Sequence, residues 1–245
     1  MMGFDFADPD RGISGSLRPS GAAVVFDHDD VVAAGTGVDA ELGDGGMDAT
    51  ASVDLEGASL RLELSRLSGP LSLRGERAGS EELAVCRVLG EVEGGGRSHQ
   101  ISCLGIRSDA VIDPGPEDVS LTRSIAVAFA DGGILALRAG RPPGASHGDE
   151  EIVAALGDPD GEVTQIREPL LSTQYDSEGR HVRATLELWP EQDEEPRPPF
   201  RAAGSIVCGT SLALGERRLD IAFFRWSIDG RPGLGRYEVL RAADD

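Results

Sequence analysis

Along most of this chain apolar and polar residues alternate one by one, and that rhythm excludes a helical fold more firmly than any other feature of the sequence. In HVRATLELW (181–189), Val182, Ala184, Leu186 and Leu188 point one way. His181, Arg183, Thr185, Glu187 and Trp189 point the other. SLRLELS (59–65) repeats the pattern, with Leu60, Leu62 and Leu64 set against Arg61 and Glu63. Successive side chains of a strand face opposite sides, so each such segment offers one face to a core and one to water. SIAVAFA (124–130), GGILALRA (132–139) and RLDIAFFRWSI (218–228) are further strand candidates, separated by Gly, Pro and Asp turns. The pattern predicts an all-β protein of antiparallel sandwich or barrel type. One stretch, DEEIVAALG (149–157), reads as a short helix with Asp149 as N-cap and Gly157 as C-cap, although its length also suits a strand.

The chain also echoes itself. DLEGASLRLEL (54–64) and DSEGRHVRATLEL (176–188) both open D-x-E-G, pass through an arginine and end Leu-Glu-Leu. Some way downstream of each come VLGEVEGGGRSHQISCLGIRSD (88–109) and VCGTSLALGERRLDIAFFRWSID (207–229). Both of these have a Gly-centred turn, an alternating strand and a terminal Asp. Repetition at this spacing predicts a duplicated β unit, with halves at 1–115 and 116–245. The acidic, proline-rich PEQDEEPRPPF (190–200) is read as a solvated loop in the second half.

Composition narrows the function. With 245 residues, 40% of them hydrophobic, the chain buries a sizeable core. A net charge of −20 argues against nucleic acid and anionic membrane surfaces, both of which demand positive charge. There is no lysine and no asparagine, the joint loss expected of a GC-rich genome, so an arginine here points less strongly than usual to an anion site. The opening residues carry no secretory pattern and no apolar run is long enough to span a membrane, which together suggest a cytoplasmic protein. Cys86, Cys103 and Cys208 lack metal-site spacing and are read as reduced. Cys86 and Cys103 lie equidistant from the glycines at 94–96, which would set them face to face across a hairpin.

Familiar chemistry finds little purchase. VFDHDD (25–30) gathers one histidine and three aspartates, but contiguous residues of a strand diverge, so a solvated turn is preferred to a metal site. GDPDGEV (157–163) lacks the distal glutamate of a calcium loop and is read as a turn. No serine sits in a nucleophile elbow, no cysteine has a neighbouring histidine, and no phosphate-binding glycine loop leads from a strand into a helix. No metal and no cofactor is expected.

What remains is a cluster of aromatics in a chain only 4% aromatic. Phe224 and Trp226 share one face of a predicted strand; Phe223 and Arg225 share the other. Trp189, Tyr237 and the carboxylates Glu187 and Glu238 complete the set. These residues either fill a core or wall a cavity for an apolar molecule with a polar end. In the second case Trp189, Phe224, Arg225, Trp226 and Tyr237 bind the ligand. A buried Glu238 or Glu187 would then hold its proton more tightly and act as a proton donor.

The two ends of the chain resemble a known group. FDFADPDRGISGSLR (4–18), with Phe4, Phe6, Gly12, Gly15 and Arg18, and the closing FFRWSIDGRPGLGRYEVL, with a glycine turn at Gly233 and Gly235 before Tyr237 and Glu238, are similar to hydroxyneurosporene synthase (carotenoid 1,2-hydratase) and the AttH-like proteins. The resemblance implies two lipocalin-like β-barrel halves, in keeping with the internal echo. It transfers no catalytic residue. The sequence therefore points to binding of a hydrophobic small molecule, such as a lipid, isoprenoid or polyketide-like compound, between or within the barrels. A cofactor-independent hydratase or cyclase acting by carboxylic-acid protonation is the alternative, and a structural module without ligand the third reading.

Overall fold

A computed structural model describes residues 2–38, 40–112, 118–191 and 198–243. The alternating segments all form strands. The first ten are β1 (Met2–Asp8), β2 (Ile13–Leu17), β3 (Ala23–Asp27), β4 (Asp30–Gly35) and β5 (Ala40–Asp44), then β6 (Asp48–Leu55), β7 (Ala58–Arg66), β8 (Leu71–Arg74), β9 (Ser80–Gly94) and β10 (Arg97–Ile112). They make one sheet in the order β4-β3-β2-β1-β10-β9-β7-β6-β5, with β8 pairing β9 off that path. The next eight are β11 (Leu121–Phe129), β12 (Ile134–Arg141), β13 (Glu151–Gly157) and β14 (Val163–Tyr175), then β15 (His181–Pro190), β16 (Phe200–Leu214), β17 (Arg217–Ile228) and β18 (Arg231–Ala242). These close into a barrel, strand by strand in sequence order. The protein is all-β with two lipocalin-like halves, the first an open half-barrel and the second a closed one. No described helix is long and apolar enough to cross a membrane.

The repeated sequence blocks fall on hairpins and strand entries in both halves. The first pair falls on the β6–β7 hairpin and on the entry to β15; the second pair falls on the β9–β10 and β16–β17 hairpins. The predicted short helix is instead β13, hydrogen-bonded to β12 along its length and to β14 at its end, preceded by a single 3-10 turn at His147–Asp149. Two turns of isolated helix are marginal, and Ile152 and Val153 suit a strand whose two faces are both covered. Of the loop predicted over 190–200, residues 192–197 lie outside the described residues, as does the predicted boundary at 115/116.

Each half has its own core. Phe4, Phe6, Val25, Leu62, Leu64 and Val88 pack under the open sheet. Val127, Phe129, Leu137, Leu186, Phe224 and Trp226 fill the barrel. Two further clusters join the halves: Leu71, Leu83, Val85 and Ile106 meet Ala126, Ile134, Ala136 and Ala155, while Val24 and Phe26 meet Cys208, Ile221 and Phe223. The Phe26 and Phe223 rings pack edge to face at 6.1 Å. Glu151 reaches across to accept from the backbone N–H groups of Glu76, Arg77 and Ala78 at 3.1, 2.5 and 2.7 Å. Burial alone would raise its pKa, but those amides outweigh it and hold the carboxyl below its ordinary range.

Two sequence details are corrected. Gly233 and Gly235 make no turn; they lie inside β18, where a Cβ on Gly235 would come within 2.0 Å of the Ala126 carbonyl oxygen, so glycine allows β18 to close on β11. Cys86 pairs with Gly105 and Cys103 with Val88, so the thiols stand diagonally and both are free. Burial pushes the Cys103 thiol up to about 12, which suppresses its nucleophilic thiolate.

Candidate binding cleft between the halves

The strands β1, β2 and β10 of the open sheet face β11, β16, β17 and β18 of the barrel wall, and a cleft of about 740 Å³ lies between them. Its apolar lining comes from both halves: Ile13, Leu104 and Ile106 on one side, Ala128, Phe223 and Leu234 on the other. The alternation of β17 explains this. Phe224, Trp226 and Ile228 turn into the barrel, so Phe223 and Arg225 turn outward to the cleft. Polar groups also line it, carboxylates above all: Asp5, Asp8, Asp10 and Asp29. Asp8, Asp10 and His28 stand on the sheet side and Arg225 on the barrel side. Among the described residues the Arg225 side chain makes no ion pair or hydrogen bond.

Asp5 lines the inner end, where a buried ionic network begins. It accepts from the Ser16 hydroxyl at 2.6 Å and from Arg236 Nε at 2.9 Å. Arg236, with none of its surface exposed, also meets Glu238 at 2.7 Å. Arg18 lies 3.0 Å from Glu238, 3.5 Å from Asp5 and 3.6 Å from Glu81, and Arg138 lies 3.4 Å from Glu81. Burial disfavours the charged guanidinium of Arg236, but Asp5, Glu238 and Glu81 outweigh it and raise its pKa. Strands from both halves thus contribute to one compensated cluster of three arginines and three carboxylates. A desolvated charge is tolerable only when so paired.

The residues singled out in the sequence divide among three places. Phe224, Trp226 and Tyr237 come together inside the barrel, with Phe224–Trp226 ring centroids 5.6 Å apart and Phe224–Tyr237 5.5 Å. The Tyr237 hydroxyl shares a 2.6 Å hydrogen bond with Thr173, and burial pushes its pKa up to about 12. Arg225 lies in the cleft instead. Glu187 lines a groove of about 960 Å³ on the barrel wall with Leu170, Thr185 and Arg201. Trp189 is half-buried on the same strand as Glu187. Glu238 is held between Arg18 and Arg236, outside the lining of the cleft.

Sequence reasoning missed His181. The β14–β15 register slips between Gln174 and Tyr175, so Tyr175 pairs with His181 and Val182 is skipped. The slip turns His181 inward, where it stacks on Phe224 at 5.5 Å and its Nε2 donates to the Tyr237 carbonyl at 2.8 Å. Desolvation lowers its pKa to about 4. It also missed Asp5, Arg18, Glu81 and Arg236 as a group; Arg18 was noted only as part of a terminal motif. Buried as well, at one end of the barrel, is an Arg123–Glu150 ion pair beside Thr173.

At the level of sequence, no protein-family model and no curated protein matches the chain. Solved structures do match its fold. An AttH-like protein of Nitrosomonas europaea superposes with a TM-score of 0.65 at 13% identity, covering 97% of this chain and 91% of that one. Kievitone hydratase of Nectria haematococca gives 0.61 at 8% identity, covering 99% and 89%. CghA, solved with Sch210972, gives 0.62 at 10% identity, covering 100% and 88%. At such identities the likeness is one of fold. The chain shares the fold of these proteins over nearly its whole length.

Proposed function

We propose that the protein binds a hydrophobic small molecule in the cleft between its halves. The observation that carries this reading is the cleft itself: apolar residues on both walls, room for a lipid- or polyketide-sized ligand, and polar groups that include four aspartates, His28 and Arg225. That two proteins of the same fold are a hydratase and a protein solved with a small molecule supports it. The test is a titration with 8-anilinonaphthalene-1-sulfonate, an apolar fluorescent probe. Ala130 is exposed at the cleft edge, so Ala130→Trp fills the space at little cost to folding. It is expected to weaken probe binding roughly tenfold or more, the effect of losing about 1.4 kcal/mol. Thr185→Trp, in the barrel-wall groove, should leave binding unchanged; equal effects from both, or none from Ala130→Trp, would overturn the cleft as the site.

A carboxylic acid that protonates an alkene has less support. Both candidates stand away from the cleft, Glu238 between two guanidinium groups and Glu187 in the wall groove. The same reading divides the chain at 1–115 and 116–245, with the ligand between the units. Co-expressed as separate fragments, they are expected to co-purify, because the clusters and ionic network between them are extensive. Fragments that stay apart, each folded, would count against that division.

A further inference from the structure

The turn between β3 and β4 carries an arrangement that neither packing nor solvation requires. Asp27 pairs with Asp30, leaving His28 and Asp29 as a two-residue turn. His28 adopts φ of +59°, one of only two non-glycine residues with positive φ among those described. Glycine would enter that conformation without strain, whereas a side chain there costs on the order of 1 kcal/mol.

The imidazole is nonetheless fixed from three sides. The His28 backbone N–H donates to the Gly12 carbonyl at 2.6 Å. Its ring lies against Gly12, where a Cβ would fall 2.6 to 2.8 Å from Cε1, Nε2 and Cδ2. Its Nδ1 lies 2.8 Å from Asp27 Oδ1. That carboxylate is held in turn by Arg97 at 3.3 Å. In the neutral ring, a hydrogen bond to a carboxylate places the proton on Nδ1 and leaves the Nε2 lone pair free. Consistent with this pairing, the His28 hydrogen bond leads the interactions that keep the Asp27 carboxyl below its ordinary range.

This free nitrogen belongs to a residue that lines the cleft, with 71% of the side chain exposed at its mouth. The opposite wall presents Arg225, whose side chain has no protein partner among the described residues. A base and an unpaired cation flanking one apolar slot match the needs of enolisation. We propose that His28 is a general base for an apolar carbonyl compound bound in the cleft, with Asp27 as its positioning residue and Arg225 facing the charge that develops. The proposal rests on the cleft being the binding site. In the step, the C–H bond next to the carbonyl breaks and the proton moves to Nε2. The electron pair passes to the carbonyl oxygen, opposite the guanidinium. In a β,γ-unsaturated carbonyl compound, return of that proton from Nε2 to the γ-carbon of the resulting dienolate re-forms the carbonyl and completes a double-bond isomerisation without any co-reactant.

The test uses 5-nitrobenzisoxazole, an apolar probe with one acidic C–H. A base removes that proton, the N–O bond breaks, and a coloured cyanonitrophenolate forms. The intact protein should accelerate this reaction saturably. His28→Asn keeps a residue suited to positive φ, and should lose tenfold or more of the rate while still binding 8-anilinonaphthalene-1-sulfonate, given that general bases contribute about 10²–10⁴-fold. Asp27→Asn should lower kcat severalfold at unchanged KM. Probe binding without rate acceleration, or His28→Asn at the full rate, overturns the proposal while leaving the cleft reading standing. Absence of probe binding by the intact protein overturns both.

Discussion

Arg236→Met should lower the melting temperature by roughly 10 °C, because stranding buried charges costs about 3–5 kcal/mol and each kcal/mol moves a domain of this size by about 2–4 °C. The size of the effect follows from what is left behind. Arg236 Nε is 2.9 Å from Asp5 and its Nη1 is 2.7 Å from Glu238, both between the halves. Without it, Arg18 alone faces Asp5 and Glu238 while also serving Glu81. The cluster passes from balance to an excess of negative charge on largely buried groups. Asp5→Asn introduced into the Arg236→Met protein should restore part of the loss by removing one stranded carboxylate. Calorimetric melting of the single and double variants measures both effects. A single variant within about 2 °C of wild type would show that solvent or relaxation compensates the cluster.

Acidification is the second strong lever, and it acts on the barrel. His181 has a folded-state pKa of about 4 against an ordinary value of 6.5, the cause being burial among the rings. Between those values the unfolded chain binds a proton that the folded chain refuses. Stability is therefore complete above pH 6.5 and falls as pH drops toward 4, by about 3 kcal/mol in total. His181→Phe preserves a ring against Phe224 and cannot titrate. Urea unfolding at pH 6.5 and at pH 4 should show wild type losing about 3 kcal/mol more than this variant. Equal losses would assign acid sensitivity to the carboxylates instead.

The strands were legible because alternation is local, and every segment named from it is a strand. What alternation does not encode is a slip in pairing. His181 sits on the polar parity of its own segment, and only its register with Tyr175 turns it inward. The short segment 149–157 was ambiguous for a related reason: its neighbours β12 and β14 decide its conformation. The ionic network was the least legible feature. Arg18 and Glu238 are 220 residues apart and meet only because two sheets face one another. In a chain whose every Lys/Arg position is arginine, no single arginine stands out as special. The sequence reading put the aromatic residues and Arg225 in one site, yet the parity of β17 sends Phe224 and Trp226 to one compartment and Arg225 to another. That alternation was visible in the sequence. The presence of a second sheet opposite Arg225 was not.

The way each half is closed also orders its assembly during synthesis. β1 meets β10 with Met2 opposite Asp109, and β11 meets β18 with Leu121 opposite Arg241. A chain emerging from the ribosome therefore exposes the apolar face of β1 until more than a hundred further residues have been made, and the later β11 waits similarly for β18. Contacts so distant in sequence form late, because a long loop must be closed before they reward it. β18 is the last of these strands to appear, and it brings Tyr237, Arg236 and Glu238 together. One strand thus completes the barrel, its ring cluster and the ionic joint at a single moment, so a nascent chain halted before it has all three unfinished.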